Sequence, residues 1–472
     1  MSTTTLAGSL PERFLALVGH DGLRPVRAEL GLVGYTLVGS GAYLPPEVCD
    51  GDVDLVLLSS RPEVEPESGL PRLLEAVRGR CEADIVVWYI QAVACLLKVV
   101  RGGESLDVLW AADERVGDGG AAAAGDDAFR RIPAREAAAM LESAGSRAAD
   151  CVHLTCLVEA ALASRHPTAF TVPALIALRQ WARRRQVYGT RYGYPGGSAW
   201  MVMLLVYCRW YDAAVLDRGG EDGGGAAAED VLWHLLLTLA LWPWPLPFTT
   251  ANMRALSTRR HQQPGEPLGG GRVLEGSVGR RLVTSFVVPL PCEGSAWNMT
   301  QAVQWPNHLA LLRDAWDAGL RRVRVGGPPV AGGADLLEET RRLALVDPWP
   351  LFLVVRVPRD ARAPAGWWTL VVNRVVPTVW PQLDACGFYA RPLCTDEPFV
   401  FLLWPQEYVW SRHSRTDLVL PLRERVGNAL FHMVLEAHRT LPAGSAPSLA
   451  DLLPVLSLAR RLPDGDNHTG GV

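Results

Sequence analysis

The chain has 472 residues, a formal net charge of −4, 49% hydrophobic residues and a mean hydropathy of +0.10. A chain of this length buries more than one core, about three domains at ~150 residues each. The near-neutral charge excludes a strongly basic nucleic-acid coat, so any polynucleotide contact is confined to a local patch or groove.

The first residues, MSTTTLAGSLPERF, hold no basic segment followed by an apolar stretch, so no signal peptide is expected. The most apolar segment, residues 231–248, carries His234 and is broken by Pro243, Pro245 and Pro247, so no membrane span is expected either. The cysteines form no CxxC pair; the nearest group, Cys151, His153 and Cys156, lacks the second half of a zinc site and reads as thiols in a helix. A reducing, intracellular setting fits. Lys98 is the sole lysine, arginine supplying the remaining basic charge.

In chain order, residues 34–38 and 53–59 are short apolar runs with strand character, and 71–81 has helical spacing between them. Residues 94–100 and 105–110 pair as a hairpin across Arg101-Gly-Gly. From about 132 onward apolar residues recur every three or four positions, predicting helices over 134–144, 150–164, 172–186, 197–211, 230–241 and 298–320. Gly/Ala/Asp-rich stretches at 117–127, 218–230, 264–272 and 326–335 read as insertions or linkers. Beyond the last of these come a strand at 351–357, a helix at 365–383, strands at 387–393 and 399–403, and a final strand and helix within 417–439. That order predicts a small α+β sandwich.

The chemistry-bearing segment is VGSGAYLPPEVCDGDVDLVLL. Gly39 and Ser40 follow a strand, and Asp52 and Asp54 open the next one; residues separated by one position on a strand share a face. Asp107 lies on the second strand of the predicted hairpin. Three aspartates on neighbouring strands can hold two divalent cations ~3.5–4 Å apart, and a Gly-Ser turn suits triphosphate oxygens. The bland alternative is a solvated turn before an acidic strand start.

Gly39-Ser40, Asp52-x-Asp54 and Asp107 together resemble the polymerase-β-like nucleotidyltransferases. Three further segments narrow the likeness to the eukaryotic-type poly(A) polymerases: LRQWARRRQVYGTRYGYPGGSAW (178–200), LALWPWPLP (239–247) and PLPCEGSAWNMT (289–300). The resemblance covers roughly residues 35–320 in consistent order. It implies an α+β multidomain chain with a nucleotidyltransferase palm at 1–130, a central helical domain at 131–328 and a C-terminal domain like an RNA-recognition motif at 336–462. It implies Asp52, Asp54 and Asp107 as catalytic ligands of Mg²⁺ (or Mn²⁺), and Val38, Gly39, Ser40, Arg179, Tyr188, Gly197 and Ser198 around ATP. Lys98 would touch the RNA primer; a strand lysine snorkelling to solvent is its other reading. The implied activity is transfer of AMP from ATP to an RNA 3′ end, with a processivity or specificity partner left open. Uridylyltransferase, oligoadenylate synthetase and inactive scaffold are the alternatives.

Departures from the family pattern are the short segment before the Gly-Ser turn, Ala144 for an asparagine, Ser198 for a valine, Arg179 for a lysine, and no long Ser/Thr-rich tail. They imply a compact, divergent relative, viral or protist. Gly145 and Arg147 keep the pattern around Ala144. Arg183, Arg184 and Arg185 read as a solvated helix end or a phosphate-facing cluster; Arg321, Arg322 and Arg324 are candidates for an RNA groove. Trp200, Trp210, Trp233, Trp242 and Trp244 read chiefly as core.

Overall fold

A computed structural model of the chain describes residues 9–44, 52–82, 84–91, 95–101, 104–118, 129–141, 146–164, 170–216, 228–244, 246–259, 286–291, 298–300, 303, 307–308, 311–312, 314–315, 351–358, 365–392, 398–405, 415–439 and 447–459. The expected linkers at 264–272 and 326–335, Ala144 and Gly145, the three arginines at 321–324 and most of the expected helix at 298–320 lie outside these residues.

The described residues begin with two helices that apolar periodicity did not flag, α1 (Leu10–Gly19) and α2 (Arg24–Leu30). The first begins where Ser9 donates its backbone N–H to Glu12 Oε2 at 3.0 Å, a capping-box contact, with Pro11 in the first turn. The second stops at Gly31, whose φ of 63° needs no Cβ. Strand β1 (Leu32–Val38) then alternates buried and half-buried positions, as a strand lying on a core does. A short helix α3 (Ser40–Tyr43) leads towards β2 (Asp52–Ser59), whose Leu55, Val56, Leu57 and Leu58 are all buried. Burial on both faces marks β2 as a central strand.

Helix α4 (Pro66–Arg78) starts earlier than expected, with Pro71 inside its first turns. Strand β3 (Val86–Ile90), a further element that the periodicity missed, pairs antiparallel with β4 (Leu96–Arg101), and β4 pairs antiparallel with β5 (Glu104–Ala112). After the short α5 (Arg115–Asp118), β6 (Arg130–Arg131) completes a six-stranded mixed sheet in the order β3-β4-β5-β2-β1-β6, with β2–β5 and β1–β6 parallel. Gly34 of β1 permits the last pairing, because a Cβ there would collide with the carbonyl of Arg130.

Helices follow: α6 (Ala134–Met140), α7 (Arg147–Ala163), α8 (Val172–Arg184), α9 (Gly197–Leu216), α10 (Ala228–Leu241) and α11 (Thr250–Arg259). Ser146 and Thr171 cap α7 and α8, accepting from the N–H groups of Ala149 and Ala174. The tryptophans behave as core: Trp200, Trp233 and Trp242 are buried, Trp210 and Trp244 half-buried. Trp242 and Trp244 spend their indole N–H groups on the carbonyls of Leu246 (2.7 Å) and Leu239 (3.0 Å), which folds the WPWPLP run back on α10. The helix expected from 298 does not begin there, since Asn298 bridges Pro289 and holds its own turn through Thr300.

The C-terminal unit runs β7 (Leu351–Arg356), α12 (Ala365–Ala385), β8 (Phe388–Pro392), β9 (Phe399–Pro405), α13 (Arg415–His438) and β10 (Val455–Ala459). Its four strands lie antiparallel in the order β10-β7-β9-β8. The sequence placed a final strand before a helix within 417–439; instead that segment is helix throughout and the strand comes later, at Val455–Ala459. The apolar run Leu418–Leu422 imitates a strand, but Leu422, Val426, Leu430, Met433, Val434 and Ala437 bury one helical stripe. Strand β10 escaped notice because it is short and its Val455 and Ser457 are exposed. One hydrophobic core reaches from Trp88 and Val100 of the first sheet, through α7–α11, to α12, α13 and one face of the second sheet.

Candidate active site

The site starts where β1 ends. Val38 turns into the core with Val56 and Leu58, while Gly39 takes φ +64° and lets the chain double back into α3. A Cβ on Gly39 would stand 2.7 Å from Asp54 Oδ2, so glycine is what permits the turn to lie against that carboxylate. The Gly39 N–H donates to Thr155 Oγ1 at 3.1 Å, and the Thr155 hydroxyl donates to the Cys151 carbonyl at 2.8 Å. Helix α7 thereby anchors the turn. Tyr43 fastens the other end of α3 by donating its hydroxyl to Met201 Sδ of α9 at 2.7 Å.

Asp54 and Asp107 face one another in register across the parallel β2–β5 pair. Asp52 stands earlier on β2, opposite Ser105; its side chain lies outside the described ones. On the far side of β5, Lys98 is the antiparallel partner of Asp107 and its Nζ lies 2.7 Å from Asp107 Oδ1. The ammonium is largely buried and shares its location with the carboxylate rather than reaching to bulk solvent, which disfavours the snorkelling reading.

The opposite wall is built from α8 and α9. Helix α8 ends with Gln186 in the left-handed region at φ 56°, its N–H returning to Arg183 and that of Val187 to Ala182. This reversal carries Tyr188 back along the helix it has just left. The guanidinium groups of Arg179 and Arg183 lie 5.7 and 4.9 Å from the centre of its ring. The chain then loops to Gly197, where a Cβ would come within 2.7 Å of the Tyr188 hydroxyl, and α9 begins.

Ser40, Asp54, Asp107, Arg179, Tyr188, Gly197 and Ser198 line a single cavity of about 450 Å³. Val38, Gly39 and Lys98 are not among its lining residues. Arg147, in the first turn of α7, also lines the cavity, and burial lowers its guanidinium pKa. The cavity therefore has carboxylates on the sheet side and, on the helical side, two guanidinium groups and the amino end of a long helix, which favours anions.

Two hard carboxylates in register, set against a turn with room for nothing larger than glycine, fit Mg²⁺ or Mn²⁺, which take oxygen ligands and keep several waters. Among the described residues no group of three or more His, Cys, Asp and Glu is gathered for a metal. Likewise no helix among the described residues is long and apolar enough to cross a membrane.

Over 81 residues, 17% of this chain, the sequence is 33% identical to poly(A) polymerase PAPa of Candida albicans. It is 43% identical over 81 residues to poly(A) polymerase PAPalpha of the same organism, and 32% identical over 74 residues to poly(A) polymerase pla1 of Schizosaccharomyces pombe. The chain resembles the poly(A) polymerases. The matched stretches make up 12%, 12% and 11% of the length of those relatives respectively. No family model matches. Among solved structures, a cytoplasmic RNA terminal U-transferase aligns over 68% of this chain and 90% of that one, at 13% identity and a TM-score of 0.39. Terminal uridylyl transferase 4 of Trypanosoma brucei, with bound CTP, aligns over 66% and 92%, at 13% identity and a TM-score of 0.35.

Arg147 and Thr155 are contributors that the sequence did not single out for the site. Arg147 could have been found as the cation that opens α7 beside the departed asparagine position; Thr155 gives no signal, since only the folded chain brings it to Gly39.

Proposed function

We propose that this chain is a template-independent nucleotidyltransferase that adds AMP from ATP to RNA 3′ ends and releases pyrophosphate. The observation that carries this reading is the register of Asp54 with Asp107 on one wall of the cavity that Arg179, Tyr188, Gly197 and Ser198 close on the other. Carboxylates facing a cationic wall across such a cavity suit a metal–triphosphate; a plain anion would need only the second wall.

In this reading Asp52, Asp54 and Asp107 hold Mg²⁺ or Mn²⁺, which when bound acidifies the attacking 3′-hydroxyl and offsets charge on the triphosphate. Ser40 and the turn at Gly39 receive the triphosphate with backbone N–H groups and a hydroxyl. Arg179 and Arg147 pair with its oxygens by charge-assisted hydrogen bonds. Tyr188 sets one edge of the sugar–phosphate site, and Gly197 with Ser198 lets the nucleotide approach the α9 backbone. The primer 3′-hydroxyl gives up its proton to solvent and its oxygen bonds to the α-phosphorus, the bond from that phosphorus to the bridging oxygen breaks, and pyrophosphate leaves with both electrons. Lys98, beside Asp107, supplies a positive charge that can draw the primer backbone towards the carboxylates.

The same reading divides the chain into a catalytic domain at 1–130, a helical domain at 131–328 and an RNA-binding domain at 336–462. The β-α-β-β-α-β order of the last unit, with its first strand central in the sheet, supports likening it to an RNA-recognition motif. An intracellular setting follows from RNA as acceptor.

Incubating the purified chain with a labelled oligo(A) primer, Mg²⁺ or Mn²⁺ and each NTP separately tests the assignment. ATP-dependent 3′ extension is expected. Preference for UTP or a 2′–5′ product would move the chain to another nucleotidyltransferase activity, and no incorporation from any NTP would leave an inactive scaffold.

A further inference from the structure

The loop from Tyr188 to Gly197 has a front and a back. Tyr188, Gly189, Thr190, Gly196 and Gly197 line the cavity, whereas Tyr192, Gly193 and Tyr194 in the middle are buried away from it. Within the loop, the N–H of Gly189 donates to the Pro195 carbonyl at 3.0 Å and that of Tyr194 to the Gly189 carbonyl at 3.2 Å. Those turns tie the loop to itself and leave its place in the molecule open.

Two side chains from later in the chain hold the back. Asn307, fully buried, donates through Nδ2 to the carbonyls of Tyr192 at 2.7 Å and Gly193 at 3.1 Å. Trp380 of α12 presses its ring edge on Gly193: a Cβ there would stand 2.5 Å from Trp380 Cη2 and 2.7 Å from Cζ3. The φ of +70° at Gly193 independently calls for glycine. Helix α12 packs on the single-turn helix Thr190–Tyr192 within the loop and also on β4, the strand that carries Lys98. Trp380 itself is half-buried, so its ring is not a filler at the centre of the core.

We propose that Trp380 is a positioning residue for the nucleotide site: α12 of the C-terminal unit clamps the Tyr188–Gly197 loop from behind and so fixes Tyr188 and the start of α9 at the cavity. The proposal rests on reading that cavity as the nucleotide site. Without the ring, the loop gains conformational freedom that nucleotide binding must then remove. The carboxylates belong to the sheet and keep their places, so nucleotide affinity falls while the chemical step is preserved.

The test uses the full chain and its Trp380→Ala and Trp380→Phe variants, with the dissociation constant of Mg²⁺–ATP measured without primer, then KM for ATP and kcat with oligo(A). Trp380→Ala should raise both Kd and KM about 10-fold and leave kcat within about 2-fold, and the phenylalanine variant should recover most of the affinity. Should the alanine variant fail to fold, Trp380→Leu keeps bulk without the flat ring edge and carries the same expectation. Wild-type Kd and KM in the alanine variant, with or without a lowered Tm, overturn the proposal, as does a phenylalanine variant no better than alanine. A wild-type chain that binds ATP but extends no primer sinks the polymerase assignment and leaves the Kd comparison to decide the clamp; one that binds no nucleotide overturns both.

Discussion

At the scale of single residues, Gly39 sets the tightest constraint. Its φ is positive, and a Cβ there would stand only 2.7 Å from Asp54 Oδ2, so any side chain moves the turn, the carboxylate or both. Gly39→Ala should therefore lower kcat/KM by about 100-fold, the size expected when a reacting group is displaced by about 1 Å. Circular dichroism should stay near wild type, since the turn lies beyond the end of β1. His308 behaves differently. Buried against Phe286 (4.7 Å between ring centres) and Trp244 (5.5 Å), it has its pKa pushed down from 6.5 to about 4 by loss of solvent. Between those values the unfolded chain takes up a proton that the folded chain refuses, so stability falls as pH drops from 6.5 towards 4. Thermal melts across that window should show a falling Tm in the wild type and a flatter profile in His308→Phe.

At the scale of elements, the turn at Gly39 works because α7 reaches it. Thr155 accepts from the Gly39 N–H, so Thr155→Val leaves that donor without this acceptor and frees the turn from the helix. About a 10-fold loss in kcat/KM is expected with little change in the melting profile of the sheet; an unchanged kcat/KM in steady-state assays would show that α7 does not hold the turn. This contact also marks where sequence reading stops. Strands β1, β2 and β5 were legible because each is a dense apolar run, and the Asp54–Asp107 register follows from placing those strands side by side. The glycine turn was legible from its residue type. Thr155 was not, because a threonine inside an apolar helix gives no sign of which loop it meets. Strand β3 went unread between a helix and the hairpin, and α13 was misread at its start because Leu418–Leu422 has the composition of a strand although the following turns bury a helical stripe. Local composition decides such short runs poorly; the packing partner decides them.

At the scale of the whole molecule, one core joins residues from the first sheet, the helical middle and the C-terminal unit. The cavity sits where the first two meet, and among the described residues the third reaches it from behind, through Trp380 on Gly193. The net charge of −4 is compatible with a polynucleotide substrate in this arrangement, since Arg147 and Arg179 at the cavity and Lys98 beside Asp107 supply local positive charge. Everything in the proposed reaction depends on the carboxylates of β2 and β5 acting together. The most direct measurement is primer extension from α-labelled ATP by wild-type, Asp54→Ala and Asp107→Ala chains whose folding is matched by circular dichroism. Extension by the wild type and a loss of about 1,000-fold or more in each variant is the predicted result, as removal of several kcal/mol of metal-assisted stabilisation requires. Extension that persists in either variant at a rate near wild type would contradict the account.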